Sequence, residues 1–99
     1  MNTATRKIGK NKGKARLWIE GAYLIESGFN HGARFDIETV PGEITYTLHA
    51  EGKRKVAGNP ARPIIDTLGK ALETAGFETG DVVTLEKSGN VITITKEGE

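Results

Sequence analysis

The chain has 99 residues, of which 36% are hydrophobic, and its 14 basic and 13 acidic side chains give a net charge of +1. This length predicts one small domain, and the absence of cysteine excludes disulfides and thiolate metal sites. No apolar run approaches the roughly 20 residues that cross a bilayer, and the basic N-terminus lacks the apolar segment of a signal peptide. We therefore expect a cytoplasmic protein with no membrane partner.

The first half of the chain predicts an extended segment, a short helix and a β-hairpin, in that order. Residues 6–19 form an extended segment interrupted by glycines, in which Leu17 and Ile19 alternate with Arg16 and Trp18, and residues 20–27 form the helix candidate. Gly28 stands where a helix end favours positive φ. Residues 34–40 and 44–48 alternate again on either side of a Pro-Gly turn, as hairpin strands do.

The second half predicts the same elements with one ambiguity. Residues 68–75 form the helix candidate, Gly76 is its cap, and residues 82–95 form the hairpin. Apolar residues from Pro63 onward also fit a helical period, which leaves open a second helix that begins near Ile64.

The two halves are repeats of each other at an offset of 48 residues. Twelve of the 43 aligned pairs between residues 6–48 and 54–96 are identical. A unit of this length is too small to bury a core alone. We therefore predict a first repeat over residues 1–48, a linker over residues 49–53 and a second repeat over residues 54–99, both folded as one domain.

The charges are segregated along the chain. Residues 1–16 carry six basic side chains and no acidic one, and a second basic cluster lies between Lys53 and Arg62. A segregated basic surface is typical of a protein that binds a polyanion. The alternative is that these lysines and arginines only keep the surface soluble.

Two motifs carry a resemblance to known families. Residues 17–32 read as alternating apolar residues, Gly, an aromatic, Leu, a small residue, Gly-Phe and Gly, which resembles the core motif of the SymE toxin family. Residues 68–81 are similar, with Ala71 in place of the aromatic residue. The openings Arg6-Lys7-Ile8 and Arg54-Lys55-Val56 resemble those of the related AbrB and MazE superfamily.

The resemblance implies a mainly β fold with short helices (α+β), namely a swapped-hairpin β-barrel built by the two tandem repeats as a pseudo-dimer. It would be monomeric or would pair again as a homodimer. The helices are expected to be held by Phe29 and Phe77, and the candidate core residues of the hairpins are Phe35, Ile37, Ile44, Tyr46, Val83, Leu85, Ile92 and Ile94.

In AbrB-like proteins the DNA-contacting residues are basic and lie in the opening strand and its loop. Carried over by position, this implies a nucleic-acid-binding set of Arg6, Lys7, Lys14, Arg16, Arg54, Lys55 and Arg62. Trp18 is a candidate platform for stacking on a base, and the alternative is that it packs on a neighbouring strand or in a dimer interface.

The resulting function is binding of DNA or RNA through phosphates, in the manner of AbrB and SymE. One alternative is a SymE-like toxin that acts on RNA, which would make the protein a ribonuclease. Another is an antitoxin or mobile-element inhibitor that binds a protein partner through the acidic hairpins. His31 and His49 are not duplicated between the repeats, and no catalytic set, cofactor or metal site is predicted.

Overall fold

A computed structural model describes residues 2–96, which contain ten β-strands and two short α-helices. The elements of the first half are β1 Asn2–Lys7, β2 Gly9–Asn11, β3 Lys14–Glu20, α1 Ala22–Glu26, β4 Arg34–Val40 and β5 Glu43–Leu48. Those of the second half are β6 Arg54–Lys55, β7 Ala57–Asn59, β8 Arg62–Leu68, α2 Gly69–Ala75, β9 Val82–Ser88 and β10 Val91–Lys96. The expectation of a mainly β fold with short helices is confirmed.

The strands form two antiparallel sheets and not a closed barrel. The six-stranded sheet has the order β1-β9-β10-β5-β4-β6, and the four-stranded sheet has the order β2-β3-β8-β7. The prediction of a β-barrel is wrong, because β1 and β6 lie at opposite edges of the larger sheet in the described part of the chain. After Lys7 and after Lys55 the chain leaves the larger sheet and enters the smaller one. Because β6 is also only two residues long, β1 and β6 do not pair to close the larger sheet into a barrel.

The opening strand of each half pairs with the hairpin of the other half. β1 pairs with β9 and β6 pairs with β4, and the two registers are equivalent at the 48-residue offset: Lys7 faces Val82 as Lys55 faces Arg34. The backbone hydrogen bonds repeat in the same way: Ile8 N donates to Asp81 O at 2.8 Å, and Val56 N donates to Ala33 O at 2.9 Å. Both halves therefore contribute strands to each sheet.

The glycine caps are confirmed, and the early start of the second helix is wrong. Gly28 and Gly76 have φ of 84° and 81°. Residues 62–68, where that helix was left open, form strand β8, which pairs with β3. Pro63 and Ile65 are buried and Asp66 is exposed, so a two-residue period prevails over the helical one.

One core lies between the sheets and under the helices. Phe29 and Phe77 are 0% and 2% exposed, and of the eight predicted hairpin core residues all are buried except Ile37, which is partly buried. Tyr46 is fully buried, and its hydroxyl forms a hydrogen bond with that of buried Thr67. Neither helix found between residues 2 and 96 is long and apolar enough to cross a membrane.

Candidate nucleic-acid interface

The basic residues of the two opening strands lie on both edges of the six-stranded sheet. Arg6 and Lys7 end β1, and Arg54 and Lys55 form β6. Arg6 is partly buried, with its guanidinium 5.9 Å from the ring centroid of Tyr23. The other three side chains are exposed. Four of the seven predicted contact residues thus form two separate pairs.

The β2–β3 hairpin adds a third group of positive charges. Lys10, Lys12 and Lys14 are exposed around its turn, where Lys12 and Gly13 have φ of 53° and 83°. Lys14 lies against the start of α2, since a Cβ added at Gly69 would be 3.5 Å from its Cδ. The equivalent hairpin β7–β8 carries one basic residue, so this charge is not duplicated.

Arg16 and Arg62, the remaining predicted contacts, are paired with carboxylates. Arg16 donates two hydrogen bonds to Asp66, at 3.0 and 3.1 Å, and these bonds raise the pKa of its guanidinium. Arg62 Nε lies 3.4 Å from Glu20 Oε2. Any phosphate that approached either arginine would have to compete with these carboxylates.

Trp18 is held in place on the outer face of the four-stranded sheet. Leu17 and Ile19 are fully buried, whereas Trp18 is 37% exposed. The guanidinium of Arg16 lies 4.2 Å from the centroid of its ring, and its Nε1 donates a hydrogen bond to Glu20. Arg16 therefore already stacks on this ring and limits the surface left for a base.

Two adjoining cavities lie between β6 and β8. One, of about 270 Å³, is lined by Lys53, Arg54 and Lys55 among others. The second, of about 240 Å³, is lined by Arg54, Asp66, Thr67, Leu68, Lys70 and Ala71. They share Arg54 and Asp66, so together they form one groove.

The groove adds two cations that the prediction left out. Lys53 and Lys70 are missing from the predicted contact set. Lys53 could have been included from the sequence, because it belongs to the second basic cluster. For Lys70, the signal was its position beside Ala71, where the second repeat departs from the aromatic motif.

Both histidines are exposed. His31 is exposed in a turn. His49 Nδ1 lies 4.0 Å from Asp36 Oδ2 and accepts a hydrogen bond from the backbone N of Glu51 at 3.2 Å. The described residues also include no group of three or more His, Cys, Asp or Glu that could hold a metal ion. The exposed lysines and arginines described above can bind anions.

Comparisons of the chain with protein-family models, with curated proteins and with solved structures found no match.

Proposed function

We propose that this protein binds nucleic acid through its phosphates, in the manner of the AbrB and SymE families. One observation carries the proposal. The chain has 13 acidic residues, yet most basic residues in the segments that open its two halves form no ion pair with them. Within residues 2–96, no carboxylate lies within 4.0 Å of the exposed side-chain nitrogens of Lys7, Lys10, Lys12, Lys14, Arg54 and Lys55.

Unpaired surface cations suit phosphate binding for a simple reason. A lysine or arginine that contacts a phosphate releases a condensed counterion, and this release supplies most of the affinity for nucleic acid of any sequence. A cation already paired with a carboxylate must first give up that partner. Lys7 and Lys55 are therefore expected to contribute more to binding than Arg16 or Arg62.

We also propose that the two halves are AbrB-like repeats arranged as a swapped-hairpin pseudo-dimer. In support, each opening strand joins the hairpin of the other half, and the two pairings are equivalent at the 48-residue offset between the repeats. Thr45 faces Thr93 in β5–β10, and Trp18 faces Asp66 in β3–β8, so equivalent residues meet at the centre of each sheet. A pseudo-two-fold axis through these two pairs accounts for both registers.

The test is a salt series with a mixed-sequence duplex DNA and a single-stranded RNA, read by fluorescence anisotropy. For duplex DNA the logarithm of affinity should fall with the logarithm of salt, with a slope of about −0.9 per phosphate contact. Lys7→Ala/Lys55→Ala should make that slope shallower by about 2. The quadruple variant that also replaces Arg6 and Arg54 by Ala should make it shallower by about 3–4.

A charge-matched control separates contact from net charge. Lys87→Ala/Lys96→Ala removes two charges from the β9–β10 hairpin and should leave the slope nearly unchanged. Equal losses in the two double variants would contradict binding through the opening segments. Wild-type affinity that does not change with salt would rule out the phosphate mechanism, and absence of binding to both polymers would redirect the search to a protein partner.

A further inference from the structure

The two halves differ at one helix position beside the opening strands. In the first half, Tyr23 of α1 is 8% exposed and its ring lies beneath the guanidinium of Arg6. In the second half the equivalent residues are Ala71 and Arg54. Ala71 is too small to fill the space that a tyrosine ring fills in the first half.

The second half has a cavity at this position. Arg54 and Ala71 both line the space of about 240 Å³, and Lys70 lies at the same wall. The adjoining space of about 270 Å³ extends it toward Lys53 and Lys55. The space beside Ala71, about 240 Å³, lies below the roughly 300 Å³ at which pockets for drug-sized ligands begin and suits a single base, and the adjoining space leaves room for its phosphate.

We propose that this groove binds one unpaired nucleobase together with its phosphate. The base occupies the space that the Tyr23 ring fills in the first half, and its face stacks against the guanidinium of Arg54. The phosphate lies toward Lys53, Lys55 or Lys70. This inference takes its ligand class from the proposed nucleic-acid binding, and it adds a defined pocket to that general phosphate contact.

The charges around the groove fit an aromatic ring that carries an anion. In the described part of the chain, Lys53, Arg54, Lys55 and Lys70 have exposed side chains without an ion pair. An aromatic ring and a guanidinium attract each other, and stacking on a protein side chain accepts any base.

Asp66 is the one carboxylate in the groove wall. It is neutralised by its two hydrogen bonds to Arg16. Its oxygens retain lone pairs that can accept an N–H from a base edge.

The deciding variant is Ala71→Tyr, which recreates in the second half the arrangement seen in the first. Because Tyr23 already packs under Arg6 in this fold, the variant is expected to fold, and a thermal unfolding curve checks this. The matched control is Ala71→Ser, which leaves the space open. Arg54→Gln removes the stacking guanidinium while keeping a polar side chain that can donate hydrogen bonds.

The ligands are adenosine and uridine monophosphates, a short single-stranded RNA, and a blunt duplex DNA, each titrated by isothermal calorimetry. The fluorescence of Trp18 provides a second measurement of binding, since its cross-strand partner Asp66 lines the groove. Binding of a monophosphate as well as the RNA would show a free nucleotide site. Binding of the RNA alone would show that the base is taken from a strand.

Ala71→Tyr and Arg54→Gln should each weaken binding of a monophosphate or of the RNA by about 5- to 150-fold, as expected when a base stack is lost, and Ala71→Ser should not. Duplex binding should survive Ala71→Tyr, because a paired base cannot enter the pocket. Unchanged RNA binding in Ala71→Tyr would overturn the pocket while leaving the proposed function standing. Absence of wild-type binding to every ligand would overturn both.

Discussion

The hydrogen bond between Tyr46 and Thr67 leads to a prediction that separates pairing from packing. Both hydroxyls are buried, with the residues 0% and 3% exposed, and they bond to each other. Thr67→Val leaves the Tyr46 hydroxyl without this partner, and Tyr46→Phe leaves the Thr67 hydroxyl without it. An unsatisfied buried polar group costs about 1–3 kcal/mol, so each single variant should lose about 2 kcal/mol of the free energy of unfolding.

The double variant Tyr46→Phe/Thr67→Val should be much less destabilised than the two single losses added together. Replacing both partners by apolar groups of similar shape removes the desolvation penalty along with the bond. The equivalent pair at the 48-residue offset shows that this environment accepts apolar residues, because the equivalents of Tyr46 and Thr67 are Ile94 and Ile19, both fully buried. We expect a coupling free energy of about 1–3 kcal/mol.

Urea unfolding of the wild type and the three variants gives the four free energies of unfolding that this double-mutant cycle needs. At about 4–8 °C per kcal/mol for a domain of this size, each single variant should also lower the Tm by roughly 8–16 °C. The m-value should remain constant, since none of the changes alters the surface exposed on unfolding. Additive single effects, with no recovery in the double variant, would refute the assignment of the bond as a pairwise contact.

Two further predictions concern the same core. Phe29→Ala and Phe77→Ala should each lower the free energy of unfolding, measured in urea, by about 3–5 kcal/mol. The loss should be larger for Phe29, because its ring also contacts that of Phe35 edge-on, with 6.0 Å between the ring centroids. Unchanged stability in both variants would contradict their packing role. Burial raises the pKa of Tyr46, so the folded state keeps this proton while the unfolded state loses it above about pH 10. The contribution of Tyr46 to the free energy of unfolding should therefore be constant below about pH 10 and fall above it by up to about 1.4 kcal/mol per pH unit. In Tyr46→Phe, measured in the same way, this fall should be absent.

Local patterns predicted the hairpins and helix ends well. Strict alternation in residues 34–48 and 82–95 left one face for the core, and each glycine cap followed a short apolar helix. Strand β8 was harder to predict, because Pro63, Ile64 and Ile65 form a short apolar run that fits either a strand or a helix. Its pairing with β3 decides the matter, and that partner lies nearly 50 residues away in the chain.

The local sequence pattern could not predict how distant strands are arranged in the sheets. Barrel closure depends on whether β1 meets β6, and nothing in the local sequence of either strand reports on this. The same holds for charge pairing. Arg16 and Asp66 are 50 residues apart, and only the β3–β8 register brings them together, which converts a predicted phosphate contact into a carboxylate-bound side chain.

Fusion of the repeats in one chain permits differences that identical subunits could not have. At the centre of the four-stranded sheet Trp18 faces Asp66, whereas two copies of the first repeat would place Trp against Trp. The polar pair in the core exists once because its counterpart is two isoleucines, and the helix position filled by Tyr23 is open at Ala71. Each difference falls where the repeats meet or where an opening strand crosses a helix. Under the two proposals made above, equivalent phosphate contacts at both edges would coexist with a base pocket on one side only, and a bound nucleic-acid strand would have a defined direction.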